Sequence, residues 1–218
     1  MPSLELQNVE KRYRSKRVLE SVSHSFPPGL TLLVGPSGAG KSTLLRLLAT
    51  AEKPSSGRIL WKGEPVAPAR RELRRSLGYA PQAVDLPEDL TAREFAMHMA
   101  ALKGLKLGSA DRQFGAITDS IGLHADINNR IATFSGGMRR RLIFAQAMLG
   151  SPLLLVLDEP TAELDGETAG LVSGLIKQRA KSAVVIMTTH LAKDLESDAV
   201  DVLRVEKGSV SSFRIRAA

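Results

Sequence analysis

The feature that most constrains the fold is a short apolar segment that runs directly into a glycine-rich sequence. Residues 30–34, LTLLV, have the length and composition of a buried strand, and residues 35–42 read GPSGAGKS. This sequence fits the phosphate-binding pattern G-x-x-x-x-G-K-[ST] in full, and leucines at helical spacing follow it. The glycines let backbone N–H groups turn toward a phosphate, and the N-terminus of a helix favours anions. The segment therefore predicts a triphosphate site; the alternative is a glycine-rich turn that only resembles one.

Within this loop, three side chains have predicted parts in binding and chemistry. Lys41 is expected to reach the β- and γ-phosphates and to act in catalysis, the Ser42 hydroxyl to coordinate Mg²⁺, and Thr43 to contact the α-phosphate. The loop alone predicts a nucleoside triphosphatase and nothing narrower. The predicted nucleotide-binding residues of the segment are Gly35, Pro36, Ser37, Gly38, Ala39, Gly40, Lys41, Ser42 and Thr43.

A second apolar segment ends in two carboxylates. Residues 153–157, LLLVL, form a continuous run that is typical of a strand buried on both faces, and Asp158 and Glu159 follow it. Ligands bind at the carboxyl edge of an open α/β sheet. We predict that Asp158 binds Mg²⁺, directly or through a water, and that Glu159 orients and deprotonates the attacking water. Taken alone, the pair would be an ordinary strand end at the surface; the phosphate-binding loop favours the functional interpretation.

Strand-like segments of two kinds predict the architecture. Residues 183–187 form another continuous apolar run, whereas residues 4–9 and 21–26 alternate as in an antiparallel sheet. Two short segments near the end of the chain, residues 200–205 and 210–215, predict further small strands. The predicted fold class is α/β, a P-loop NTPase core with a mostly parallel sheet and antiparallel N-terminal strands.

The middle of the chain predicts a helical insertion. No convincing strand is visible between about residues 83 and 150, and residues 91–103 have helical spacing. Thr91 followed by Glu94 predicts a capping box at the start of that helix. We therefore expect a single domain over residues 1–218 with a helical subdomain inside it.

Composition excludes several classes of protein. The chain has no cysteine, which excludes a disulfide scaffold, thiolate metal sites and cysteine nucleophiles. Its uncharged apolar runs are far shorter than the roughly 20 residues that span a bilayer, and its first residues lack a signal-peptide pattern. We therefore expect any transport path to come from another polypeptide. The net charge of +7 predicts a solvated basic surface, and attraction to nucleotide, nucleic acid or an anionic membrane face stays open.

Between the two motifs, residues 134–138 read FSGGM and open an apolar-periodic helix. Here the sequence resembles the ATP-binding cassette (ABC) family, whose signature is a Ser-Gly-Gly core shortly before the acidic strand. The resemblance implies that Ser135, Gly136 and Gly137 bind the γ-phosphate of a nucleotide held by a second subunit. Met138 departs from the usual glutamine and lacks its amide. Residues 135–141, 90–95 and 101–104 resemble the corresponding segments of the branch that powers drug, peptide and polysaccharide exporters.

The same resemblance assigns four further residues. Tyr13 would stack on adenine, and Gln82 would sense Mg²⁺ or the water and act in catalysis. Asp165 would contact the site of the opposite subunit, and His190 would contact the γ-phosphate and stabilise the water. The alternatives are a half-buried strand tyrosine, a helix N-cap for Asp165 and a structural histidine. We interpret the arginines at positions 139–141 mainly as a solvated helical face and partly as positive field near phosphate.

As a whole, the resemblance implies the ATPase subunit of a transporter, with export favoured. It would bind ATP and Mg²⁺, pair head to tail with a second cassette subunit, favoured as a homodimer, and receive a membrane-spanning permease subunit near residues 83–88. It would lie on the cytoplasmic face of the membrane, held by the permease, and no nucleic-acid partner is expected. Two alternatives stay open: a cassette ATPase that acts on DNA or ribosomes, and a regulatory module that binds nucleotide without turnover.

Overall fold

Two β-sheets and a layer of helices make up the fold; the structure, a computed structural model, describes residues 3–189 and 193–212. The strands in this part of the chain are β1 (Leu4–Tyr13), β2 (Lys16–Phe26), β3 (Gly29–Val34), β4 (Ser56–Trp61), β5 (Glu64–Pro65), β6 (Leu77–Ala80), β7 (Leu154–Asp158), β8 (Val184–Thr188), β9 (Ala199–Glu206) and β10 (Ser209–Ser212). The α-helices are α1 (Lys41–Leu48), α2 (Val66–Arg75), α3 (Ala92–Leu102), α4 (Leu107–Ser120), α5 (Gly136–Met148), α6 (Gly166–Ala180) and α7 (Lys193–Glu196), and two 3₁₀ turns span His124–Asp126 and Ile131–Thr133.

The larger sheet has six strands in the order β10-β9-β3-β8-β7-β6, and every pair but the outermost β9–β10 is parallel. The smaller sheet, β2-β1-β4-β5, is antiparallel. In the larger sheet Leu33 lies opposite Thr188, and Thr188 lies opposite Asp158. The carboxyl ends of three central strands are therefore level with one another. This arrangement confirms the predicted fold class, including the antiparallel pieces at both ends of the chain.

The two faces of the larger sheet explain the continuous apolar runs. Val156 and Ile186 pack in a cluster with the leucines of α1 and the inner face of the smaller sheet, including Phe26. Their neighbours Leu155 and Val185 point the other way, into a cluster with α3 to α6. Both faces are covered, so strands with apolar residues at every position are stable here.

The helical layer is packed partly through small residues. The capping box predicted at Thr91 is present, since its hydroxyl accepts from the Glu94 N–H and the Glu94 side chain accepts from the Thr91 N–H. The buried stripe of α3 consists of alanines, whereas Leu102 at its end is 69% exposed. In α5, by contrast, every side chain from Leu142 to Met148 is buried. The helix therefore lies at the centre of the layer.

The outer strand β6 is covered by α5. The Cβ of any larger residue at Gly78 would lie 2.1 Å from the Ala147 carbonyl oxygen, so glycine is what allows this close approach. Gln146 Nε2, on the same helix, donates to the Tyr79 carbonyl at 2.8 Å. Edge strand and helix are thus joined both by contact and by a hydrogen bond.

Some elements were not predicted from the sequence. Helix α2 and strand β6 carried no recognised pattern, and β1 and β2 are longer than the alternating segments that indicated them. The last predicted strand lies partly outside the described residues, since the structure describes β10 only to Ser212. The single domain over residues 1–218 and the limits of the helical subdomain stay predictions.

Candidate nucleotide-binding site

The predicted site residues converge because neighbouring parallel strands end at one edge of the sheet. The phosphate-binding loop follows β3, Thr188 ends β8, Asp158 ends β7, and Gln82 comes shortly after β6. These four strands are adjacent in the sheet. The edge is where an open α/β sheet binds its ligand.

The loop that follows β3 has the geometry of a phosphate cradle. Gly35 has a φ of 141°, and a Cβ there would lie 2.1 Å from the Val205 carbonyl oxygen. Gly40, with a φ of 109°, precedes the first residue of α1 and has no side chain to cap it. The N–H groups of the first turn of α1 are therefore available to an anion. Lys41 Nζ donates to the carbonyl oxygens of Gly35 at 2.8 Å and Pro36 at 2.9 Å, so the ammonium lies along the loop.

The predicted magnesium ligand Asp158 is held by a residue that sequence reasoning did not select. Asp158 is only 4% exposed, and Thr188 Oγ1 donates to its Oδ1 at 2.6 Å. The same hydroxyl accepts from the Glu159 N–H at 2.9 Å. Within residues 3–189 and 193–212 no cluster of three or more His, Asp or Glu side chains could hold a metal. One carboxylate and the Ser42 hydroxyl suit Mg²⁺, which protein sites bind with few carboxylates together with substrate phosphates.

Glu159 and Gln82 meet at the end of β7. Gln82 Nε2 donates to Glu159 Oε2 at 3.2 Å, across 77 positions in the sequence. Glu159 adopts a left-handed conformation with a φ of 52°. A non-glycine residue in this region is strained by about 1–2 kcal/mol, and such residues cluster at functional sites. The structure thus brings the predicted base and the predicted sensor into contact.

The predicted adenine-binding residue is Tyr13, which ends β1 and is 39% exposed. Its hydroxyl donates to Glu52 at 2.5 Å, and Lys11 Nζ lies 4.9 Å from the ring centroid. Arg46 contacts Glu52 at 2.6 Å and Thr43 Oγ1 at 3.1 Å. Partial burial would raise the pKa of Glu52, but hydrogen bonds from Lys11, Tyr13 and Arg46 outweigh it and lower that pKa. The predicted adenine platform is therefore tied to the predicted α-phosphate contact through Glu52 and Arg46, which the sequence pattern did not indicate.

The signature residues begin α5 and face outward. Ser135 is the N-cap, and its hydroxyl accepts from the Met138 N–H at 3.3 Å. Ser135 and Gly136 are exposed. The nearest neighbours that a Cβ would meet at Gly136 and Gly137 come from the loop after β7, at Glu163 and Leu164. Among the described residues, no hydrogen bond joins these three residues to the phosphate-binding loop of the same chain.

Asp165 is the N-cap of α6. Its carboxylate accepts from the Thr168 N–H and hydroxyl, both at 2.8 Å, and these two bonds lower its pKa. The capping alternative for Asp165 is thus observed, while its predicted contact with a second subunit stays a prediction. His190 lies outside the described residues.

The interpretation of the three arginines as a solvated face was wrong, because each makes specific contacts. Arg139 donates to the Phe134 carbonyl and pairs with Glu88 at 2.8 Å. Arg140 donates to the Gln82 carbonyl, and Arg141 donates to the carbonyls of Ile121 and Gly122. Spacing along one helix could not reveal these contacts, since all the acceptors except the Phe134 carbonyl lie far away in the sequence.

A glycine-rich loop that opens a helix beside an acidic strand end defines a P-loop nucleoside triphosphatase. The family described as ABC transporter matches residues 19–162. An uncharacterized ABC transporter ATP-binding protein of Bacillus subtilis, YxlF, is 34% identical over 209 residues, which cover 95% of this chain and 69% of that protein. The Nod factor export ATP-binding protein I of Burkholderia pseudomallei is also 34% identical, covering 94% of this chain and 68% of that protein. The chain therefore belongs to the ABC transporter family and is one of its ATP-hydrolysing cassettes.

The fold agrees with this assignment. A solved structure described as the ATP binding subunit of an ABC transporter superposes with a TM-score of 0.87 at 27% identity, covering 96% of this chain and 89% of that one. No helix in residues 3–189 or 193–212 has both the length and the apolar character that crossing a membrane requires.

Proposed function

We propose that this chain hydrolyses Mg²⁺-bound ATP at the edge formed by β3, β8, β7 and β6, and so energises export by a separate membrane-spanning subunit. The contact between Gln82 Nε2 and Glu159 Oε2 carries the proposal. It brings a carboxylate that can accept a proton and an amide that can orient water or Mg²⁺ to the strand end beside the phosphate-binding loop. The export function of the Nod factor relative supports the direction of transport.

The residues of this edge divide the work of phosphoryl transfer. Lys41 and the N–H groups of α1 would bind the phosphates, and Ser42, Asp158 and Gln82 would hold the metal ion. Magnesium, when bound, neutralises charge on the β- and γ-phosphate oxygens. Glu159 takes a proton from the water whose oxygen attacks the γ-phosphorus, while the bond to the β-phosphate oxygen breaks and ADP leaves. His190, which follows β8 by two positions in the sequence, is proposed to contact the γ-phosphate.

A second cassette completes the site in this proposal. Ser135 and Gly136 are exposed at the start of α5, where N–H groups and a hydroxyl can reach a phosphate. Within the part of the chain that the structure describes, no hydrogen bond joins them to the phosphate-binding loop of their own chain. Two copies arranged head to tail would place these residues, with Gly137 and Asp165, against ATP bound by Tyr13 and the loop of the partner subunit.

The membrane partner is proposed to bind beside Gln82. Residues 83–88 follow directly, and Val84 there is 47% exposed, an apolar side chain at the surface. Glu88, at the end of the segment, pairs with Arg139 on α5. A short helix of the permease lying on this segment would contact both the Gln82 loop and the helical layer, and would hold the cassette at the cytoplasmic face of the membrane.

The test is steady-state ATPase activity as a function of protein concentration, with the variants Glu159→Gln and Glu64→Gln. Loss of a general base lowers turnover by about 10²- to 10⁴-fold, so Glu159→Gln should bind ATP and lose turnover by that order. Glu64 is exposed on β5, and its variant should match the wild type. Specific activity should rise with concentration, since two chains form each site. Turnover by Glu159→Gln at the wild-type rate would show that Glu159 is not the base.

A further inference from the structure

Arg140 joins three segments that the proposed reaction needs. It lies one turn into α5, and its Nη1 donates to the Gln82 carbonyl oxygen at 2.7 Å. Its Nη2 lies 3.6 Å from Glu163 Oε1 in the loop after β7. The Arg140 side chain is 11% exposed, so it is enclosed between these segments rather than extended into solvent.

Through Gln82, Arg140 is connected to the proposed general base, Glu159. The Gln82 backbone is held by Arg140, while its side-chain amide donates to Glu159 Oε2. A displacement of Arg140 therefore changes the position of the Gln82 amide relative to the Glu159 carboxylate. A hydrogen bond from a guanidinium is stronger than one between neutral groups, so it can hold the Gln82 backbone in place.

Through Glu163, Arg140 is connected to the signature residues Gly136 and Gly137. Glu163 has a left-handed φ of 63°, and its carbonyl oxygen lies 3.6 Å from the Cβ position of Gly137. Its Oε2 lies 3.3 Å from the Cβ position of Gly136. The start of α5, the loop after β7 and Arg140 thus form one packed unit.

We infer that Arg140 is a positioning residue that passes the position of α5 to Gln82 and so to Glu159. The inference rests on the proposed function, in which the start of α5 binds nucleotide held by the partner subunit. A helix moves as a rigid body, so engagement of Ser135 by that nucleotide also sets the position of Arg140 one turn further on. The water-activating pair would then be aligned only when the second chain is in place.

The neighbouring residue Arg139 provides a matched control, because it contacts neither Gln82 nor Glu163. Arg139 reaches Phe134 O and the exposed side chain of Glu88. The Phe134 carbonyl and the Glu88 carboxylate thus take the place that Gln82 and Glu163 have for Arg140. Arg139→Gln removes one guanidinium from the same helix turn and should leave turnover near the wild-type value.

The experiment compares Arg140→Gln, Arg140→Lys and Arg139→Gln for kcat, for KM of Mg-ATP and for melting temperature. Misplacement of a catalytic group by about 1 Å costs about 10²-fold, so Arg140→Gln should lower kcat by about ten- to a hundredfold with KM within about twofold. Arg140→Lys should recover part of kcat, since one donor to Gln82 O remains. In the double variant Arg140→Gln with Gln82→Ala, kcat should be no lower than with Gln82→Ala alone, because Arg140 acts only through the contact between Gln82 and Glu159. A kcat of Arg140→Gln within twofold of wild type, or additive losses, would overturn the inference.

The side-chain amide of Gln82 provides a readout independent of turnover, because it donates to Glu159 Oε2. Arg140→Gln should shift the NMR resonances of this amide, which Gln82→Ala identifies by their loss, whereas Arg139→Gln should leave them in place. Unchanged resonances in Arg140→Gln would overturn the inference. If the wild-type chain shows no ATPase activity, or Glu159→Gln keeps it, the proposed function fails, and the amide resonances alone then decide whether Arg140 holds the Gln82 loop.

Discussion

The two halves of the candidate site are fixed by different means. The sheet-borne half consists of the phosphate-binding loop and the ends of β7 and β8, where Asp158 and Thr188 are buried and bonded to each other. The helix-borne half is the layer of helices α3 to α5, which presents the start of α5 to the site and is joined partly by long side chains that reach carbonyl oxygens. Arg141 reaches Gly122, and Lys103 reaches Leu149 at 3.0 Å. The strand ends of the sheet-borne half are thus fixed by a buried hydrogen bond, whereas the helix-borne half is held by arginine and lysine side chains together with the buried part of α5 from Leu142 to Met148.

The largest effect is expected in the sheet-borne half at Gly35. Gly35→Ala would place a Cβ 2.1 Å from the Val205 carbonyl at a φ of 141°, so both the loop and β9 must move. We expect a loss of about 2–5 kcal/mol in the free energy of unfolding and loss of ATP binding. Gly38→Ala is the control, since nothing lies within 4 Å of its Cβ position, and should cost about 1 kcal/mol. Urea unfolding measures the free energy and nucleotide titration measures ATP binding. Equal stabilities of Gly35→Ala and Gly38→Ala would show that the contact between Gly35 and Val205 does not constrain the loop.

A smaller effect is expected at Thr188. Thr188→Val keeps the shape but removes the donor to Asp158 and the acceptor for the Glu159 N–H. A buried group left without a partner costs about 1–3 kcal/mol, and Glu159 is only half-buried, so we expect a total loss of about 2–4 kcal/mol. The variant should also lose turnover, because Asp158 and Glu159 lose their alignment. Thr188→Ser restores the hydroxyl and should recover most of the activity. Full activity in Thr188→Val, measured beside its unfolding curve, would mean that the strand end aligns Asp158 without this hydroxyl.

The smallest effect is expected in the helix-borne half and depends on pH. Burial lowers the pKa of Lys103 to about 8 from an ordinary value of 10.5. Folding thus disfavours the charged form, and between these values the unfolded chain binds a proton that the folded chain has released. Stability should therefore rise from pH 8 to 10.5, by up to about 3 kcal/mol. Lys103→Met should lose this rise and be more stable at pH 7.

Urea unfolding across this pH range measures the effect. Lys106→Met is the control, because Lys106 is exposed in the same connection between α3 and α4 and should leave the rise intact. An identical pH profile for wild type and Lys103→Met would show that the Lys103 ammonium is solvated in the folded chain.

The sheet-borne half could largely be predicted from the sequence. A continuous apolar run has one stable location, a strand covered on both faces, and the residues that follow such runs must share an edge. That reasoning gave the positions of Gly35, Asp158 and Glu159. It could not give Thr188 as the residue that holds Asp158, because the contact joins two strand ends 30 positions apart.

The helix-borne half was less accessible to sequence reasoning. The buried stripe of α3 consists of Ala92, Ala96 and Ala100, which carry little hydrophobic signal, whereas the larger Leu102 is exposed. The arginines of α5 have the pattern of a solvated face, and only the fold shows that their acceptors are backbone carbonyls. Helix α2, outside this half, was missed because only Val66 and Leu73 of its sequence, VAPARRELRR, are buried, which is too few to form a helical apolar pattern.

The contact between α5 and β6 also bears on self-association. An uncovered outer strand offers free N–H and C=O groups to another chain and is a starting point for aggregation. Here the Ala147 backbone lies against Gly78, and Gln146 occupies the Tyr79 carbonyl. Gln146 thus occupies one carbonyl group of the outer strand, so resistance to pairing through β6 depends in part on the same helix that presents the signature residues.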